Sequence, residues 1–446
     1  MGCFWLGKKV KITYNELMKN FWLISVNMGY GHQRTAFPLR NFAKEWIQAN
    51  DYEGIPERDR EIWEWSRKGY EFISRFKKVP IIGEFAFSVF DFFQRIYYFY
   101  PKRDLSRPNF AIERQYSLFK NGWGRHLIEN LKSKNANLPI VSTFFTPAFM
   151  AEFFEYPGEI FCIVCDADVS RSWAPLKPKE SKIKYFVPNE RVFERLQLYG
   201  VKKENIFLTG YPLPIENIGS ENMEKLKEDL KFRLLNLDPE FVYFAKYREL
   251  VLSKLGTLPE KSDHPLTILF SVGGAGAQRE IGAKILWRLK DQIREKKIKV
   301  ILSAGIKKWV RDYFLNCIKY LKIEKFLGES IEIIFEEKIE DYFEKFNKAL
   351  RKTDILWTKP SELSFYSALG IPLIIAPPIG SQEEFNMRYL LKSGFGILQE
   401  NPSYLEQWLF DWLKKGYLAE SAMQGFVEGE KLGVFKILEI IEKSLK

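Results

Sequence analysis

Short apolar runs without polar alternation recur along the 446-residue chain, each followed by a glycine- or proline-containing loop and then an amphipathic stretch. Continuous runs of roughly four to eight apolar residues predict strands buried on both faces, as in parallel sheets covered by helices. The N-terminal half supplies Phe21–Val26, Leu138–Thr143, Ile160–Cys165, Lys184–Val187 and Asn205–Thr209. The C-terminal half supplies Leu266–Val272, Lys299–Ser303, Ile331–Phe335, Asp354–Thr358 and Pro372–Pro378. Between them the spacing predicts helices over about Gln33–Trp46, Gly124–Ser133, Asn189–Leu198 and Ser361–Leu369, and from near Gln382, Pro402 and Glu430. Ser361 suits an N-cap, and Gly370 closes that helix. This alternation, in two blocks, predicts an α/β protein of two parallel-sheet domains, 1–214 and 264–446, joined by a charged helical linker over 215–263. Residues 51–110 interrupt the first block with charged and aromatic helical sequence.

The chain is organised around Asp354–Gly394, which reads as strand, loop, helix, strand, loop, helix. Its loops leave the carboxyl ends of neighbouring parallel strands, where open α/β sheets bind ligands and free helix N–H groups favour anions. Gly273-Gly274-Ala275-Gly276-Ala277 follows another strand and opens another helix. Its small residues let backbone N–H groups approach phosphate, although it is neither G-x-G-x-x-G nor a P-loop. In the first block, Gly29-Tyr30-Gly31-His32 follows the first strand. A histidine at a helix start is kept neutral and able to accept a proton; capping its own helix is the plainer alternative. Asp166 and Asp168 end the Ile160–Cys165 strand, as bases or as Asx-turn residues.

These motifs resemble the two-domain GT-B glycosyltransferases, in particular the monogalactosyldiacylglycerol synthases and the N-acetylglucosaminyltransferase of the lipid-linked peptidoglycan precursor. The likeness rests on Thr358-Lys359, the Ser/Gly loop and helix before Gly370-Ile371-Pro372, and Gln382-Glu383-x-x-Asn386. It also rests on Gly29–Arg34, the Gly273–Ala277 loop, Phe144–Pro147 read as the loop after the Leu138–Thr143 strand, Asp166–Asp168 before Trp173-Ala174-Pro175, and Val187–Glu190. It spans roughly residues 20–215 and 264–400.

The resemblance implies a UDP-sugar held by Gly273, Gly274, Gly276, Ala277, Lys338, Ile339, Lys359, Ser361, Glu362, Gln382, Glu383 and Asn386. It implies an acceptor cleft at Gly29, Gly31, Thr146 and Pro147, with His32, Asp166 or Asp168 as base in an inverting transfer to a lipid-type acceptor. No cofactor or metal is implied. Where relatives place a ribose-binding glutamate this chain has Phe365; Glu362 lies one turn earlier on the same helix face.

Composition narrows the partners. The net charge of +11 points to a polyanion: nucleic acid, an anionic membrane or phosphorylated substrates. Basic residues cluster beside nine aromatics between Phe85 and Tyr100, within Arg67–Arg103, which reads as a membrane contact or as core packing. The charge forms no recognised nucleic-acid module, so nucleic acid is not the expected partner. A UDP-sugar 2-epimerase on the same fold, or a nucleic-acid-binding protein, are the alternatives. Cysteines at 3, 162, 165 and 317 make no disulfide framework, and Cys162-x-x-Cys165 lies inside an apolar run, where packing is expected. With no 18-residue apolar run and an N-terminal order opposite to a signal peptide, a cytoplasmic protein at the membrane face is expected.

Overall fold

A computed structural model describes residues 19–65, 96–273 and 276–445. In the first domain the strands are β1 (Trp22–Ser25), β2 (Glu45–Gln48), β3 (Ile140–Ser142), β4 (Ile160–Ile163), β5 (Lys184–Val187) and β6 (Ile206–Leu208). The second has β7 (Leu266–Ser271), β8 (Ile298–Gly305), β9 (Ile331–Phe335), β10 (Ile355–Thr358), β11 (Leu373–Ile375) and β12 (Gly396–Leu398). They form two six-stranded sheets, ordered β2-β1-β3-β4-β5-β6 and β12-β11-β10-β7-β8-β9, and every pairing is parallel. β1, β4 and β10 are buried along their whole length, which is why they read as unbroken apolar runs. Two Rossmann-like domains facing one another are the GT-B architecture.

Three local expectations are corrected. The helix expected over Gln33–Trp46 stops at Ala36 and passes into a 3-10 turn, Phe37–Phe42, with Pro38 in its first turn. Proline offers no N–H and its ring obstructs the preceding turn, so the chain turns back and adds β2 at the sheet edge. Phe144–Pro147 is not a loop: Thr146 and Pro147 are buried in the first turn of helix Phe145–Phe153, where a missing N–H is harmless. Glu362–Leu369 is a 3-10 helix, and the Ser361 side chain makes no cap bond. Gly370 closes it with φ 65, and a Cβ there would strike Leu230.

Leu230 belongs to helix Glu224–Leu237, part of the 215–263 segment. That helix sends buried Arg233 into four carbonyls: Nε to Thr353 at 2.7 Å, Nη1 to Leu369 at 3.0 Å and Gly370 at 3.4 Å, and Nη2 to Leu350 at 3.2 Å. A charged segment thus caps helix ends of the second domain. The last helix, Gly433–Ser444, returns to the first domain. Its Val434, Ile437, Leu438 and Ile441 pack with Phe21, Leu23, Val141, Phe161 and Phe186. Gly433 permits that crossing, since a Cβ would overlap the Tyr211 carbonyl. Cys162 and Cys165 are buried free thiols. Among the described residues no helix is long and apolar enough to cross a membrane. Of Arg67–Arg103, residues up to 95 lie outside the described chain.

Candidate functional site

The carboxyl ends of both sheets open onto a cavity of about 420 Å³ between the domains. The first domain contributes the loop after β1 and the end of β4. Gly29 N-caps helix Tyr30–Ala36 at φ 102, a conformation that suits glycine. The second domain contributes the loops after β7, β10 and β11, with Trp309 from helix Lys308–Tyr320.

His32 lines this cavity and is enclosed elsewhere by Phe144, at 4.6 Å between ring centroids, and Trp173. Its Nδ1 lies 2.9 Å from the Thr143 carbonyl oxygen. A carbonyl only accepts, so Nδ1 carries the proton and Nε2 keeps the lone pair. Burial pushes the ring down to about 4, so it stays neutral at ordinary pH. Cys165 lies between it and Asp166, with Sγ 3.4 Å from His32 Nδ1 and 4.0 Å from Asp166 Oδ2. Burial raises the Asp166 carboxyl to about 6; the charges of Glu362 and Glu383 add to that, while Asn386 and Lys359 oppose it.

Asn386 binds the two halves of the site together. Its Oδ1 accepts from the Ala167 N–H at 2.8 Å, and its Nδ2 donates to Asp166 Oδ1 at 3.3 Å. It sits on helix Ser381–Ser393 of the opposite domain. Lys359 is ion-paired with Glu383, whose other oxygen accepts from the Ile379 N–H at 2.7 Å. The Lys359 stem crosses Gly273 so closely that a Cβ there would overlap it. Gly276, Ala277, Ser361 and Gln382 complete this wall, and Gly31 faces it across the cleft.

Glu362 also lines the cavity, and one of its oxygens is already engaged: Arg34 donates Nε–H to Oε1 at 3.1 Å, with both side chains buried. Phe365, where the resemblance led to the expectation of a glutamate, stacks on Tyr211 of the first domain at 4.9 Å and 13°. The packing of that ring between domains accounts for an aromatic there.

Several expected residues are not brought together. Asp168 is turned away into a two-point ion pair with Arg195, both contacts 2.8 Å, and caps the Val169 N–H. It is therefore a structural carboxylate and not a base in the cavity. Thr146 accepts from Gln115 at 2.6 Å and, like Pro147, stays inside the first domain. Lys338 and Ile339 start helix Ile339–Leu350 outside the cavity lining. Gly274 lies outside the described residues.

Tyr30, Arg34, Arg279 and Trp309 also line the site and were not among the residues expected there. Tyr30 crosses to the second domain, where its hydroxyl accepts from the Ile306 N–H at 3.0 Å and its ring lies 5.4 Å from Tyr342. The signal for Tyr30 and Arg34 was their place inside G-Y-G-H-x-R, a motif in which only the glycines and the histidine were given a role.

Comparison with known proteins gives three findings. A family model described as a domain of unknown function (DUF6938) matches residues 259–348. A processive diacylglycerol beta-glucosyltransferase of Bacillus licheniformis is 22% identical over 333 residues, 72% of this chain and 72% of that protein. Solved structures include MurG of Acinetobacter baumannii, at 12% identity and TM-score 0.49 over 95% of this chain and 99% of that one. They also include a UDP-GlcNAc 2-epimerase from Neisseria meningitidis bound to UDP-GlcNAc, at 13% identity and TM-score 0.45 over 76% and 83%. In sequence motifs and domain architecture, the chain resembles the GT-B glycosyltransferases.

Proposed function

We propose that the protein is an inverting glycosyltransferase that moves a sugar from a UDP-sugar to a lipid-type acceptor at a membrane surface. One observation carries the reading. The cavity sets a carboxylate poised near pH 6, Asp166, on one domain against a wall of glycines and helix starts on the other. The first wall suits deprotonation of a hydroxyl, the second a diphosphate. The 22% likeness to a diacylglycerol glucosyltransferase supports a glycerolipid as acceptor.

In the reaction, Asp166 takes the proton from the acceptor hydroxyl, whose oxygen attacks the anomeric carbon from the side opposite the diphosphate. The bond from that carbon to the diphosphate oxygen breaks, and UDP departs. Asp166 is a better base than His32, because a conjugate acid near 6 drives proton transfer more than one near 4. His32 keeps its Nε2 lone pair for a hydroxyl of the donor sugar, since the single proton of the acceptor hydroxyl goes to Asp166. Helix starts in the second domain and Lys359 stabilise the leaving diphosphate.

The test is UDP release from UDP-glucose, UDP-galactose and UDP-GlcNAc with and without diacylglycerol vesicles. Release that depends on the lipid supports the proposal. Conversion of a UDP-sugar to its C2 epimer without acceptor would replace it by the epimerase reading. A thermal-shift series with UDP, GDP, ADP and TDP that shows no stabilisation would refute the donor half.

A further inference from the structure

Among the described residues three cationic side chains line the cavity, and they differ in what already neutralises them. Arg34 is held by Glu362, and Lys359 by Glu383. Arg279 has no carboxylate and no hydrogen-bond acceptor among the described residues. Its guanidinium instead lies over two aromatic faces, 4.8 Å from the Trp309 ring centroid and 4.9 Å from that of Tyr313. The rings fix a planar cation without consuming its N–H donors.

The surroundings make this arrangement rigid. Arg279 is the first residue of helix Arg279–Arg288, and the preceding Gln278 sits at φ 64 with Nε2 donating to the Pro377 carbonyl at 2.8 Å. The helix start is thereby tied to the loop after β11, in the same wall of the cavity. Trp309 covers Gly276 so closely that a Cβ at that glycine would overlap the indole. Glycine loop, indole and guanidinium form one unit. A half-buried cation with spare donors, aimed into a cleft whose other cations are compensated, is set up for an anion brought by the ligand.

We propose that Arg279, clamped between Trp309 and Tyr313, is the residue that binds the diphosphate of the nucleotide and selects nucleoside diphosphates over neutral nucleosides. This rests on the donor reading given above and assigns the diphosphate's main charge partner within it. Lys359 is the weaker partner, because its charge is shared with Glu383.

The experiment measures dissociation constants for UDP, uridine and inorganic pyrophosphate by calorimetry, using the full chain as wild type, Arg279→Ala, Arg279→Lys and Lys359→Ala. The expected result is a loss of UDP affinity of roughly 10- to 100-fold in Arg279→Ala, with uridine affinity unchanged. Arg279→Lys should recover part of it, since lysine keeps the charge but not the planar two-donor fork. Lys359→Ala should lose less than Arg279→Ala. If Arg279→Ala binds UDP as tightly as wild type, or loses uridine equally, the assignment is overturned while the donor reading stands. If wild type binds neither UDP nor uridine, the donor reading itself falls. Pyrophosphate bound by wild type and lost in Arg279→Ala supports the assignment without the base and sugar; pyrophosphate bound equally by both overturns it. Circular dichroism of each variant separates loss of binding from loss of fold.

Discussion

Arg34 of the first domain and Glu362 of the second form a buried ion pair across the cleft, Nε to Oε1 at 3.1 Å, 328 residues apart in sequence. The guanidinium also donates to the Tyr342 hydroxyl at 3.2 Å and stacks 4.4 Å from the Phe346 ring centroid. Such a pair costs desolvation, so its partners depend on one another more than they stabilise the whole. Arg34→Met and Glu362→Gln should each destabilise the protein by about 3–5 kcal/mol, by leaving a charge buried without its counterion. The double variant should lose clearly less than the sum. Equilibrium urea unfolding of the three variants and wild type checks this. Additive losses would mean that the pair is not coupled.

Glu362 has a second role to test. Oε2 lies toward Gly31, where a Cβ would come within 3.5 Å of it, and is the oxygen left for a ribose hydroxyl. Glu362→Gln should therefore weaken UDP binding by about 1–3 kcal/mol. Unchanged affinity in a folded variant moves the ribose contact elsewhere.

Asp166 governs a pH dependence. Its folded carboxyl titrates near 6, above the ordinary 3.8, so the active carboxylate forms as pH rises through about 6. kcat/KM should climb to a plateau there, and Asp166→Asn should lower kcat by about 10²–10⁴ and remove that limb. His32→Ala should lose less than Asp166→Asn; equally small losses at both would sink the mechanism. The same shift is a stability cost. Because the folded state holds this proton more tightly, the buried carboxylate destabilises fully above pH 6 and not at all below the unfolded value. Asp166→Asn should accordingly raise stability at pH 8 by about 1–3 kcal/mol and leave it unchanged near pH 3.5. Thermal unfolding at both pH values measures this.

How far the sequence reveals this site depends on the range of the interaction. The strands were legible because burial on both faces removes polar alternation: LTILFSV became β7 and IEIIF became β9 with little change. Glycine loops were legible because backbone approach demands small residues. Pairings were not. Asp168 looks as available as Asp166 until Arg195, 27 residues later, is seen to hold it. The 215–263 segment gave no role because Arg233 acts on carbonyls more than 100 residues away. Arg279 was passed over because its partners are rings on helix Lys308–Tyr320, beyond β8, and ring faces leave no motif.

Away from the cleft, His264 links two carboxylates: Nδ1 is 2.5 Å from Asp263 and Nε2 is 3.1 Å from Asp354. Asp354 also accepts from Thr267 N–H at 2.8 Å and from Asn236 at 2.9 Å, and Asp263 pairs with Lys352. Burial alone would lower the imidazole, but bonds to and charges of Asp354 and Asp263 outweigh it and raise His264 above its usual 6.5. A raised folded value means that the stabilisation is complete below about pH 6.5 and is lost as pH rises through the folded value. His264→Gln should therefore cost on the order of 1 kcal/mol at pH 5.5 and distinctly less at pH 9. Equal losses at both pH values would show that the ring acts by packing alone.

An acceptor in a membrane, as proposed above, needs a contact surface, and the sequence Arg67–Arg103 is proposed to supply it. It carries Lys77, Lys78, Arg95, Lys102 and Arg103 beside Phe85, Phe87, Phe90, Phe92 and Phe93. Its described end and neighbours expose aromatic rings: Trp65 is 69% accessible, Tyr98 71%, Tyr100 68% and Phe110 57%. Basic residues close to an anionic leaflet contribute about 1 kcal/mol each, a term that salt screens. Inserted rings add an apolar term that salt does not remove. Binding to vesicles containing anionic lipid should thus be strong at low salt and only partly reversed at high salt, in a flotation assay. Tyr98→Ser with Tyr100→Ser should remove part of the salt-resistant binding without unfolding the protein, because both rings are already exposed. Phe92→Ser with Phe93→Ser should remove the rest if those rings insert; if they are core, circular dichroism will show unfolding instead. If the intact protein ignores anionic vesicles at low salt, the acceptor is soluble and the lipid half of the proposed function is wrong.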